Sequence, residues 1–289
     1  MMFRVSILIS LRHNGTIHMK MTDKIYTWSV RTFSPIGKRR RFIISTTLLT
    51  ILYALSTLFS FEEIYIFIPL IVAAVYICTA FAILEGLSKQ EWLMLFIHPI
   101  YFSVVWYLFY FFVPQRWLTR LPFLVIYVVS TYAILLSQNI FNVGVSKSLQ
   151  LFRAAFSVNY LFLTIGAFLS TSLIVSLRLN FIFNALLIFA AMYPLALHML
   201  WSVEPKEYIS RHVLLYACIV SVILAEAGLI LSFMPINQSI FALALTSLFY
   251  SLTGTFHVHL QGALFKERIR EFIFVAIFAL VILILTIKW

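Results

Sequence analysis

The side chains able to do chemistry in this chain are mainly imidazoles and carboxamides, and they gather near one end of successive apolar runs. His98, Gln138, Asn139, Asn142, Asn159, His198, His257 and His259 fall there, with His212 opening a further run. Imidazole titrates near neutrality and serves as general base, proton carrier or metal ligand. Runs that alternate in direction would bring these residues to one depth and line a polar vestibule with His98, Asn139, Asn142, Asn159, His198, His257 and His259. A metal is not expected. His257 and His259 are two residues apart, about 200° around a helix axis, so they cannot share one ion. Asp23 is the sole aspartate, and no phosphate-cradling glycine loop, nucleophile elbow or HExxH pattern occurs. No catalytic residue and no cofactor is therefore assigned. A lipid-modifying reaction at the histidines is the remaining enzymatic alternative.

Glu226 is chemically the other residue of note. Of 21 basic and 10 acidic side chains, it alone stands deep inside an apolar run. A carboxylate near the middle of a bilayer costs about 2.5 to 3.5 kcal/mol, which the surrounding Val, Leu, Ile and Phe residues can offset at about 0.3 to 0.6 kcal/mol each. Glu226 is thus a candidate coupling group for a proton or cation, or a structural acid bonded to Arg178 or to a neighbouring helix. Beside it Ala217, Ser221, Ala225, Gly228 and Ser232 recur at helical spacing, a pattern that permits close helix approach. Ser247, Ser251 and Gly254 of the next run are the expected counterpart.

These residues must be positioned by membrane helices. The 289 residues are 63% hydrophobic, mean hydropathy is +1.01, and the apolar runs reach the ~20 residues that a bilayer requires. Nine spans are expected: 42–60, 64–86, 92–113, 121–143, 154–177, 179–201, 212–233, 239–262 and 271–287. Backbone groups in hydrocarbon must be satisfied within their own segment, which forces helices. The fold class is accordingly an all-α integral membrane protein, a bundle of about nine transmembrane helices with short loops. Residues 1–41 read as a basic, largely unstructured cytoplasmic segment, and 42–289 as the transmembrane domain.

All but four of the 21 basic residues fall on one side if the amino terminus is inside; Arg116, Arg120, Arg178 and Lys288 are the exceptions. The net charge of +11 then reflects orientation against anionic lipid rather than nucleic-acid binding. The expected setting is a bacterial cytoplasmic membrane, with the carboxyl terminus outside. Partners are the lipid bilayer and other membrane proteins or further copies of the chain. With loops too short to fold and no catalytic motif, a non-enzymatic scaffold or subunit of a membrane complex is the leading functional expectation. A proton- or cation-coupled transporter using Glu226 is the alternative.

Overall fold

A computed structural model describes residues 35–59, 61–84, 92–113, 116–143, 149–206, 208–262 and 266–286. The leading segment through residue 34, Lys89, Lys147, Lys288 and Trp289 lie outside the described residues. Nine α-helices occur among those described: α1 Lys38–Ser56, α2 Ile64–Ala82, α3 Trp92–Tyr110, α4 Trp117–Val143, α5 Leu149–Ser176, α6 Phe181–Trp201, α7 Arg211–Leu231, α8 Gln238–Leu260 and α9 Lys266–Thr286. Each coincides with one apolar run, because the run is what allows a helix to bury or expose its whole circumference without losing a backbone hydrogen bond. Seven of them, α2 through α8, are long and apolar enough to cross a membrane.

Helix ends follow local chemistry. Asn180 caps α6 by accepting from Ile182 N–H, and Ser210 caps α7 by accepting from Val213 N–H, each satisfying a donor that the first turn leaves free. α1 begins earlier than the apolar pattern suggests, inside the basic block, and Arg41 is buried at 1% exposure. The aliphatic stem of an arginine can pack on apolar neighbours, so the helix extends beyond the apolar run that starts at residue 42.

The surface is as apolar as the interior, and the interior also holds polar side chains. Isoleucine, leucine and phenylalanine side chains stand exposed along every face that does not meet another helix, whereas Ser45, Thr79, Gln138, Asn159, His198 and Thr253 are buried. Neighbouring helices in the chain pack on one another, and α3 also packs on α5 and α6. That non-sequential packing draws four helices around one centre. At the opposite end of α3, an aromatic core holds α1, α3 and α4 together. Tyr53 stacks on Tyr127 with ring centroids 4.4 Å apart, and its hydroxyl donates to the Trp106 carbonyl at 3.2 Å.

Small residues set the close contacts, and the stripe on α7 meets α6 as well as the expected α8. A Cβ at Gly228 would collide with Ile188 Cδ1 of α6 and lie 3.4 Å from Leu245 of α8. α7 accordingly packs most extensively on α6. In α8, Gly254 is covered by the Phe272 ring of α9, and Ser251 Oγ donates to the Phe272 carbonyl at 2.9 Å. Small-residue spacing marks where a backbone can approach but carries no information about which helix arrives.

Candidate functional site

His98 on α3, Gln138 on α4, Asn159 on α5 and His198 on α6 meet in one hydrogen-bonded cluster, none exceeding 1% exposure. α3 and α5 begin, and α4 and α6 finish, at the end of the bundle where the cluster lies. Alternating helix direction therefore assembles it from residues as many as 100 positions apart in sequence.

The acceptors fix where the hydrogens sit. His198 Nδ1 lies 3.0 Å from the Met94 carbonyl oxygen; a carbonyl only accepts, so Nδ1 carries the proton and Nε2 presents a lone pair. His98 Nδ1 lies 2.8 Å from Asn159 Oδ1 and is protonated by the same reasoning. The Gln138 amide then divides its two hydrogens, one to Asn159 Oδ1 at 3.2 Å and one to His198 Nε2 at 3.4 Å. Those two acceptors lie 3.2 Å from each other, and the shared amide keeps them together. Asn159 Nδ2 continues the chain to Ser202 Oγ at 3.4 Å, which donates to the Met199 carbonyl at 2.7 Å.

The cluster is satisfied with both imidazoles neutral, apart from two acceptors. His98 Nε2 and Gln138 Oε1 are buried without a hydrogen-bond partner among the described residues. Both are lone-pair sites, so an additional occupant would have to be a donor. The backbone contributes as well: Pro99 lacks the N–H that would close onto the Leu95 carbonyl, loosening the turn in which Met94 offers its oxygen to His198. The two rings stand 5.3 Å apart between centroids, tilted by 49°.

Other polar residues singled out from the sequence lie elsewhere. Asn142, one turn beyond Gln138, is buried and donates to the Ile83 carbonyl at 3.1 Å, joining α4 to the end of α2. Asn139 is half-buried, about 100° further round α4 than Gln138, and is not a hydrogen-bonded member of the cluster. His257 is buried and stacks on Phe156 at 4.2 Å, whereas His259 is exposed and meets the Tyr216 hydroxyl at 3.3 Å. His212 is exposed beside Tyr216. Among the described residues no group of three metal-binding side chains forms. The four clustered side chains are buried between packed helices. Gln138 is its most connected donor, and only its position four residues before Asn142 on a shared helix face hints at this in the sequence.

Glu226 faces away from this core. It is exposed on α7, between buried Leu224 and buried Gly228, and forms neither a hydrogen bond nor an ion pair with any described residue, Arg178 included. Residues above and below it on the same face, Ile219, Val222 and Ile230, are exposed too.

A second polar arrangement closes the opposite end of α3. Arg120 Nε donates to the Tyr110 hydroxyl at 3.0 Å, and its Nη2 to the Thr57 carbonyl at 3.1 Å. Thr57 caps the carboxyl end of α1, where a cation is favoured by the helix dipole. One guanidinium thus ties α1, α3 and α4.

No curated protein and no solved structure matches the chain. Residues 147–286 match a family model described as a protein of unknown function, DUF5656. The matched stretch begins at α5 and ends with α9, so it contains Asn159, His198 and Glu226 but excludes His98 and Gln138. Just under half of the chain is similar to that family.

Proposed function

We propose that the protein is a non-enzymatic subunit of a membrane assembly and that it docks a partner through the α7 face bearing Glu226. One observation carries this reading: the single acid within an apolar run points outward and has no partner among the described residues. Ionisable groups inside membranes face a bundle interior or a water-filled cavity, because an unpaired one in lipid costs several kcal/mol. A carboxyl on the outer surface of α7 meets that requirement when another protein covers it.

All nine helices cross the membrane in this reading, with the amino terminus inside. The exposed apolar side chains of α1, among them Ile44, Leu48 and Ile51, and of α9, among them Phe274, Ile277 and Leu285, support adding these two to the seven. Placing most Lys and Arg inside gives the orientation. Transport coupled through Glu226 would need that carboxyl on one path with the imidazoles. The cluster is enclosed by α3 to α6, and Glu226 is turned toward the surroundings of α7, so docking accounts for both placements more simply.

The test is a photo-crosslinking residue placed at Val222 or Ile230 in the full chain, activated in native membranes. Covalent adducts with another polypeptide, at these positions and not at exposed Leu186 of α6, are expected. Adducts to lipid alone at every position would overturn the docking assignment.

A further inference from the structure

We propose that the cavity where α5 and α7 end and α6 and α8 begin binds an uncharged amphiphile, an apolar chain whose terminal hydroxyl donates to Asn184 Oδ1. It lies at the end of the bundle opposite the imidazole cluster and uses neither Glu226 nor the exposed face of α7.

The cavity measures about 370 Å³, within the range of small-molecule sites. Buried Leu231 and Phe241 and exposed Phe181 and Phe233 line it, the last two with ring centroids 5.1 Å apart. Such walls accept an apolar body. No Asp, Glu, Lys, Arg or His stands among the described residues that line it. The carboxyl ends of α5 and α7 converge there with the amino ends of α6 and α8, so the partial charges of the four helix dipoles oppose one another. A net charge on the occupant would go uncompensated. The occupant is therefore neutral.

One side chain gives it a direction. Asn184 lines the cavity at 7% exposure, and its Nδ2 donates to the Leu179 carbonyl at 3.3 Å. That bond fixes the amide and leaves Oδ1, which is buried with no hydrogen-bond partner among the described residues. A buried acceptor without a donor is costly, so the missing group is an O–H or N–H. The other polar side chains of the wall are already engaged: Asn180 Oδ1 accepts from Ile182 N–H at 3.4 Å, and Ser232 Oγ donates to the Gly228 carbonyl at 2.8 Å. A single donor on an otherwise apolar molecule completes the site. α5 to α8 are long and apolar enough to cross a membrane, and their ends fall where hydrocarbon gives way to headgroups, the level at which a terminal hydroxyl on an acyl-type chain resides.

The experiment uses the full chain in phosphatidylcholine nanodiscs and a photoactivatable hexadecanol as probe, with labelled peptides identified by mass spectrometry. Label is expected on the segments holding Phe181 and Asn184 and holding Phe233 and Met234. Unlabelled hexadecanol should displace it about fivefold better than hexadecyl methyl ether, which has the same chain and no donor. Asn184→Leu should erase that preference while still admitting the chain. Should that variant fail to fold, Met234→Trp, which fills the cavity and retains Asn184, should abolish labelling there. Dioleoylglycerol as competitor separates the two sources of the hydroxyl: displacement assigns it to a membrane lipid, and none assigns it to a free alcohol. Equal competition by alcohol and ether in the parent, an undiminished preference in Asn184→Leu, labelling that persists in Met234→Trp, or labelling no stronger than at exposed Leu48 of α1 overturns the assignment and leaves only unselective acyl-chain contact.

Discussion

His98 Nδ1 and Asn159 Oδ1 lie 2.8 Å apart although 61 residues separate them. Their bond joins α3 to α5, two helices that are not consecutive in the chain. Asn159 also receives Gln138 and, through its own amide hydrogens, reaches Ser202. It is therefore the residue through which four helices are coupled.

Replacing Asn159 with Leu should consequently cost more than replacing any one of its partners. Several buried donors and acceptors would be left unmatched at about 1 to 3 kcal/mol each, moderated because intramembrane hydrogen bonds average about 0.6 kcal/mol. Thermal unfolding in mild detergent should show a lower midpoint for Asn159→Leu than for His98→Leu. The reverse order would remove Asn159 from the centre of the network.

A double-mutant cycle between His98→Ala and Asn159→Ala reports their pairing directly. The expected coupling is about 0.5 to 1.5 kcal/mol. His98 and Arg120 lie at opposite ends of the bundle and should give additive losses. Zero coupling in the first pair would mean that the close approach contributes nothing.

Arg120 bridges two acceptors on different helices, a geometry that the guanidinium fork spans and a single ammonium does not. Arg120→Lys should therefore recover little of the loss seen in Arg120→Ala, each about 1 to 2 kcal/mol below the parent. Protease accessibility of the short connection after α1 offers an independent readout. Full retention of stability in the lysine variant would show that charge alone suffices there.

The two close-packed glycines should respond unequally to alanine. At Gly228 the obstructing atom is the far end of the flexible Ile188 side chain, whereas at Gly254 it is the Phe272 ring. Gly254→Ala is expected to destabilise by about 1 to 3 kcal/mol, and Gly228→Ala by clearly less. Circular dichroism melting of both variants in one detergent makes the comparison, and equal midpoints would contradict it.

Glu226→Leu should leave the melting midpoint of a detergent-dispersed monomer unchanged within about 0.5 kcal/mol, since the side chain makes no polar contact with the described residues. A large loss would place Glu226 in an internal structural role and count against the docking face.

Composition and hydropathy alone are enough to show a helical chain with segments apolar enough to cross a membrane, and where those segments run. Hydropathy is a property of contiguous residues, so α2 through α8 were legible without knowledge of their neighbours. It also brought the polar side chains near one end, since that follows from direction and depth alone. Tertiary structure decided which of them meet. Gln138 and Asn139 are adjacent in the chain, yet 100° of helix rotation sends one into the cluster and leaves the other outside it. His257 and Phe156 stack, and His259 turns to Tyr216, for the same reason. Gly254 could have met α7 or α9 on composition, and only the packing angle assigned it to Phe272. Glu226 shows the division most plainly: its sequence position revealed an acid in an apolar run, but whether that acid faced a helix or the surroundings depended on how α7 rotates about its own axis against α6.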